Sequence, residues 1–129
     1  AGFQAGLGGG TFAALRSHLS VTTEAFASPL NARALPFCSA FADTDGPFGS
    51  LGSFLAQKSL RGSFEANPPF VPRLILAACA HLAHLLAEAE AVSASLLVVL
   101  VVGSSAALRR HAAWAALQSL AKGAFGKAQ

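Results

Sequence analysis

Three consecutive stretches leave this chain few folds to choose from. They are a strand-like run from Ser59 to Ala66, a long segment whose apolar residues recur every three to four positions, and an unbroken Leu and Val run from Ser95 to Val102 closed by Gly103. The middle segment carries Val71, Leu74, Ile75, Cys79, Leu82, Leu85 and Leu86, a spacing that lays one stripe of a helix on a sheet. The last run has no polar face, the pattern of a strand buried on both sides. Strand, helix and strand in that order form a βαβ unit, which makes the strands parallel and the crossover right-handed. The fold class expected is α/β, with a parallel sheet and a ligand crevice at the carboxyl ends of its strands.

The remaining elements follow from local signals. Thr11 caps a helix to Leu19, with Phe12, Leu15 and Leu19 on one face and Arg16 and His18 pointing outward. Val21 to Ala27 reads as a buried strand that runs into the turn Ser28-Pro29-Leu30-Asn31. Arg33 to Phe41 is expected to be a short buried turn or helix interrupted at Pro36, and Asp43-Thr44-Asp45-Gly46 a turn. Phe48 to Phe54 reads as a loop with two aromatic anchors. Pro68 and Pro69 are expected in the first turn of the long helix, where a missing N–H costs nothing. Gly103 to His111 reads as a loop bearing Arg109, Arg110 and His111, the local cluster of positive charge, and Ala112 to Lys122 as a last helix carrying Trp114. The domain division expected is a flexible glycine-rich lead over 1–10, one core over 11–123 and a frayed tail over 124–129.

Composition bounds the classes. With 53% hydrophobic and 12% charged residues the chain is not disordered, and 129 residues bury one modest core. A net charge of +3 permits a phosphate-bearing partner without demanding one. The glycines Gly8 to Gly10 follow no strand and precede no Gly-Lys-Ser/Thr, so they are not a phosphate loop. Cys38 and Cys79 have no zinc-like spacing and read as small core residues. His81 and His84 read as a helix-surface pair and Glu88 and Glu90 as solvated, so no metal site is expected. The apolar run Leu96 to Val102 is far shorter than the roughly 20 residues that span a bilayer, and no leader opens the chain, so a soluble chain without a membrane partner is expected.

The chemistry concentrates in Gly62-Ser63-Phe64-Glu65-Ala66-Asn67-Pro68-Pro69-Phe70. Asn67 offers an amide oxygen, the residues around Pro68 offer a backbone carbonyl, and each proline fixes its own φ and restricts its predecessor. Phe70 adds an aromatic face. An exocyclic amine on a flat ring needs two acceptors for its hydrogens and a ring to stack on, and Asn67 to Phe70 supply all three, like the N-P-P-F signature of amino-group methyltransferases that act on nucleobases. The plainer reading is a helix start with prolines in its first turn and a buried Phe. Ser28 to Asn31, Asn67 to Phe70 and Gly103 to His111 each follow a strand and so fall at one edge of the sheet.

Several motifs in fixed order carry a resemblance that covers residues 15–70 closely and extends more loosely to about Leu120. Phe26-Ala27-Ser28-Pro29-Leu30-Asn31, Phe37-Cys38-Ser39-Ala40-Phe41, Asp43-Thr44-Asp45-Gly46, Phe48-Gly49-Ser50 and Gly62 to Phe70 resemble the methyltransferase domain of the phosphorylated CTD-interacting factor family. The resemblance implies part of a Rossmann-like, S-adenosylmethionine-dependent fold. It also implies methylation of the N6 amine of a 2′-O-methyladenosine next to the messenger RNA cap. By the same resemblance Asn67, Pro68, Pro69 and Phe70 are catalytic, with Phe70 stacking on the base. The Ser28 to Asn31 turn, with Ser28, Pro29 and Asn31, resembles the family's cofactor loop; position alone adds Glu24 and Asp45 to the cofactor side, the local positive charge offers Arg109 and Arg110 to substrate phosphates or to plain solvation, and no metal takes part. The implied partners are capped mRNA, gripped in part by a helical region expected outside these residues, and, through a WW module also expected outside them, the phosphorylated tail of RNA polymerase II; the implied location is the nucleus. One departure is Val102-Gly103-Ser104-Ser105, where the family commonly has a Pro-Glu-Trp-like loop. Two alternatives stay open: a degenerate homologue kept as a transcription-associated binding module, and an N6-adenine methyltransferase acting on other RNA or on DNA.

Overall fold

The computed structural model describes residues 9–27, 32, 37–39, 46–103 and 105–122. Among these the elements are α1 (Gly9–Leu19), β1 (Thr23–Glu24), β2 (Gly62–Ala66), α2 (Pro72–Ala91), β3 (Leu96–Leu100), α3 (Ala106–Arg110) and α4 (Ala112–Lys122), with 3-10 turns at Gly46–Phe48 and Phe54–Ala56.

The βαβ unit read from the sequence is present. β2 pairs parallel with β3 in the register Phe64 to Val98 and Glu65 to Val99, and β1 pairs parallel with β2 through Thr23 to Phe64 and Glu24 to Glu65. Two further parallel bridges extend the ladder, Glu24 to Phe37 and Phe37 to Ser50. Backbone bonds secure them: Cys38 N–H donates to the Glu24 carbonyl at 2.7 Å, Ala27 N–H to Cys38 at 2.9 Å and Leu51 N–H to Phe37 at 2.7 Å. Ser39 and Ser50 also share a hydroxyl hydrogen bond of 2.6 Å. Across the sheet the extended segments thus lie in the order Ser50, Phe37, β1, β2, β3. The segment at 37–39 is an inner strand and not the buried turn or helix expected there. Its three residues are too few to show a period, and its neighbours set its conformation.

Helices cover both faces. Phe64 and Ala66 of β2 and half-buried Leu96, Val98 and Leu100 of β3 pack with Leu82 and Leu85 of α2, together with Ala25, Cys38 and Phe54. Leu82 and Leu85 are at most 1% exposed, and burying each such side chain is worth about 1.5–3 kcal/mol. Beyond this cluster Ile75 and Cys79 of α2 meet Leu108, Ala113, Trp114 and Leu117. On the opposite face Phe12 and Leu15 of α1 pack with Val21 and Val99. By length and composition α2 is apolar enough to cross a bilayer, yet its buried stripe is spent on the sheet and on α4.

Several local expectations are corrected. The long helix starts at Pro72, with Val71 at its N-cap position, so Pro68 and Pro69 precede it and Pro72 takes the first-turn role. It ends in a Schellman arrangement: Ser93 N–H donates to Glu90, Ala94 N–H to Ala89, and Ser93 sits at φ 55°. β3 is not sealed on both faces, because it borders the sheet and leaves Leu97 exposed. Phe48 is exposed and anchors nothing, whereas Phe54 is buried as expected. Leu19 is exposed too, leaving Phe12 and Leu15 to hold α1. Glu88 is not simply solvated: it accepts two hydrogen bonds from Arg61, at 2.8 and 2.9 Å, tying the end of α2 to the start of β2. His81 and His84 do pair, with ring centres 6.3 Å apart, but the pair is only partly on the surface: His84 is exposed, whereas His81 is half-buried and stands edge-on to Phe54 at 5.2 Å.

Candidate active site

The turn after β2 is built by proline. Val71 N–H donates to the Pro69 carbonyl at 2.7 Å, closing a tight three-residue turn with Phe70 at its apex. Pro68 is fully buried and Asn67 is 3% exposed, with its Oδ1 out of reach of solvent, while Phe70 stands 38% exposed at the rim. The sequence pictured two acceptors presented at the surface. The structure instead buries Asn67 beneath the rim that Phe70 occupies.

The Phe70 ring lies over the start of the next strand-end loop. A Cβ built on Gly103 would come within 3.1 Å of Phe70 Cζ and 3.3 Å of Cε2. Two of the three predicted loops therefore do meet at the carboxyl ends of β2 and β3. Glycine at 103 lets the ring approach, which gives a physical reason for a small residue in the stretch that departs from the family pattern.

One predicted cofactor residue, Glu24, is described. It ends β1 at 7% exposure, in register with Glu65, which is 3% exposed. Adjacent strands lie about 4.8 Å apart, so two carboxyls share one buried patch. Burial, with Glu24 beside it, pushes the Glu65 carboxyl up to about 7, and Glu65 Oε1 is shielded with no hydrogen-bond partner among the described residues. Glu65 is the functional candidate that the sequence reading passed over. Its signal was an acid in the middle of an apolar strand, legible only once the register sets it against Glu24. Ser28, Pro29, Asn31 and Asp45 lie outside the described residues.

The basic cluster is rearranged. Ser105 caps α3 by accepting from Leu108 N–H at 3.1 Å, so Arg109 and Arg110 ride the last turn of a helix and not a loop. Both are exposed, and the Arg109 guanidinium sits 5.7 Å from the Trp114 ring centre, a cation–π contact. His111 Nδ1 accepts from Ala113 N–H at 3.0 Å, which makes it a cap of α4. Trp114 packs partly in the core. Burial raises the Cys38 thiol to about 11 and raises Cys79 as well, so neither is a nucleophile near neutral pH. A groove along α1, lined by Gly9, Phe12, Ala13, Arg16 and Ser17, contains none of the predicted site residues.

Fold and site together define a class: a parallel α/β layer with an Asn-Pro-Pro-Phe turn at the end of a central strand. A family model described as "Phosphorylated CTD interacting factor 1 WW domain" matches residues 1–128, and the chain belongs to that family. Although the description names a WW domain, the matched residues build a parallel sheet between helices, and Trp114 is the single tryptophan of the sequence. The chain is 49% identical over 85 residues to a human protein named mRNA (2′-O-methyladenosine-N(6)-)-methyltransferase, and 48% identical over 85 residues to its mouse namesake. Each match covers 66% of this chain and 12% of the relative, so the chain spans about an eighth of their length.

Proposed function

We propose that this chain is the core of an S-adenosylmethionine-dependent RNA methyltransferase that methylates the N6 amine of a 2′-O-methyladenosine beside the mRNA cap. The observation that carries this reading is the strand order. Numbered along the chain, the extended segments at Glu24, Phe37, Ser50, β2 and β3 lie in the order 3-2-1-4-5. That is the order of a doubly wound, Rossmann-like sheet, in which ligands bind outside the carboxyl ends of the strands where the order reverses. The reversal falls between β1 and β2, and Asn67 to Phe70 begin directly after β2. The names of the relatives supply the substrate, the N6 of a 2′-O-methyladenosine in mRNA, and the resemblance of the motifs adds its place beside the cap.

The donor set fits such a cofactor. Buried acceptors at Glu65 and Asn67 stand at the reversal point, in keeping with a ligand rich in N–H and O–H donors. Glu24 and Glu65 would help to hold it, with Ser28, Pro29, Asn31 and Asp45 as further candidates. When bound, S-adenosylmethionine supplies a sulfonium-activated methyl group. The chain's own part is alignment: Asn67 Oδ1 and the carbonyl beside Pro68 accept from the target amine, and Phe70 stacks on the base. Holding two reactants in line is worth about 7–11 kcal/mol of barrier, and no strong base is required. Arg109 and Arg110 extend a positive rim for RNA phosphates. With capped mRNA as substrate and the phosphorylated polymerase tail as partner, the site of action is the nucleus.

A second reading, a non-catalytic binding module, is favoured by the closed position of Asn67. Methyl transfer by the full-length protein to capped RNA beginning with 2′-O-methyladenosine separates the two. Transfer that falls about 100-fold or more in Asn67→Ala supports the enzyme. Equal transfer by the variant overturns the assigned mechanism, and none by the wild type favours the binding module.

A further inference from the structure

At the outer edge of β3 the sequence and the surroundings disagree. Residues 96–102 are seven aliphatic side chains in a row, the composition of a strand with neighbours on both sides. β3 nevertheless borders the sheet among the described residues, and none of the seven is buried. Half of its backbone is used. Gly62 N–H donates to the Ser95 carbonyl at 3.0 Å and Val101 N–H to the Ala66 carbonyl at 2.8 Å, so residues 95, 97, 99 and 101 bond inward to β2. By alternation the N–H and C=O groups of Leu96, Val98 and Leu100 point away from β2, along the open side. Borders of natural sheets are blunted by lysine, proline or a bulge. Residues 94–102 contain no charge and no proline, and the register with β2 runs without a bulge from Leu96 to Leu100.

We propose that this edge is the docking site for a further strand of the same polypeptide, supplied from beyond Gln129. Two observations select that occupant. The first is the position of α4, which packs beside α2 on one face of the sheet, near Leu100 and Val102, while α1 covers Val99 on the other face. The crossover through α2 carries the chain outward from β2 to β3. A right-handed crossover through α4 on the same face carries it outward again, to the far side of β3. The second is length: the matched stretch is 12% of each relative, so most of the chain in such a protein lies outside the residues that build this sheet. Residues 123–129 hold two glycines, a lysine and a glutamine. The segment that fits is instead apolar on both faces, because it meets Leu96, Val98 and Leu100 on the side of α2 and α4, and Leu97 and Val99 on the side of α1. This inference goes beyond the methyltransferase reading and needs no cofactor.

The test is hydrogen exchange of the full-length protein without ligand, resolved to single amides and run at two protein concentrations about tenfold apart. The amides of Leu97, Val99 and Val101 are bonded to β2 and report that the sheet is intact. With a strand docked, Leu96, Val98 and Leu100 exchange as slowly as these three, within about tenfold, at both concentrations. Exchange about 100-fold or more faster at Leu96, Val98 and Leu100 than at their inward-bonded neighbours means an open edge and overturns the proposal. Fast exchange at all six amides removes β3 as a strand, and the proposal with it. Protection that is lost on dilution assigns the edge to a second copy of the chain and also overturns it. A benzophenone photo-crosslinker attached to Ser95→Cys, at the exposed start of β3, identifies the docked strand. A crosslinked peptide from beyond Gln129 supports the proposal, and one from within residues 1–129 or from upstream of Ala1 overturns it. None of these outcomes involves methyl transfer, so each leaves the methyltransferase reading as it stands.

Discussion

Replacing Glu65 by Gln should make the protein more stable at alkaline pH, the reverse of what removing a charged side chain from a folded protein usually suggests. The folded chain holds the Glu65 proton up to about pH 7, whereas the unfolded chain releases it near 4.5. The folded state therefore binds more protons through that window, and stability falls as pH rises from 4.5 to 7 and stays low above it. At ~1.4 kcal/mol for each tenfold in the equilibrium, the ceiling on that loss is about 3 kcal/mol, and residual solvation of the pair reduces it to about 1–2 kcal/mol. Gln keeps the size and shape, carries no charge and donates toward Glu24. Urea unfolding of the 129-residue chain, followed by the fluorescence of Trp114, reads the difference directly. The variant should be about 1–2 kcal/mol more stable at pH 8, and within about 0.5 kcal/mol of wild type at pH 4.5. A variant less stable at pH 8, or a gap that does not change with pH, refutes the reasoning about the buried pair.

Two further substitutions probe the site and the scaffold. Gly103→Ala brings a methyl group to 3.1 Å from Phe70 Cζ, and the half-exposed ring can yield, so stability should change by less than about 0.5 kcal/mol while methyl transfer by the full-length protein falls because the stacking face is tilted. Unchanged kinetics would separate Phe70 from the base. Ser93→Gly should raise unfolding free energy by about 0.5–1 kcal/mol, because Ser93 holds φ 55° at the C-terminal cap of α2; a drop would mean the serine hydroxyl matters more than the backbone.

What was legible in the chain was whatever repeats. The Leu, Ile and Cys spacing of 71–86 and the unbroken run 96–102 named α2 and β3, and with β2 between prolines and glycine they fixed the parallel βαβ unit. The strand read over Val21 to Ala27 is present as the shorter β1, Thr23–Glu24, whereas the bridges at Phe37 and Ser50 were not legible, because they depend on strands elsewhere in the chain. Contacts across long separations were also hidden, such as Arg61 with Glu88, twenty-seven residues apart, because no local pattern encodes them. The site divides in the same way. Asn67 to Phe70 announced itself through rigid, unusual residues, while Glu65 became visible only through strand register. The arginine cluster misled because charge alone does not reveal a helix end: Ser105 makes α3 from residues that read as loop, and His111 is taken up as a cap.

The central claim is that a cofactor lies where the strand order reverses, between the ends of β1 and β2. Amide hydrogen exchange of the full-length protein with and without S-adenosylhomocysteine tests it most directly. Added ligand should slow exchange at Ala25 to Ala27 and at Asn67 and Phe70 by about tenfold or more. Protection confined to the α1 groove around Phe12 and Arg16, with those amides unchanged, would contradict it.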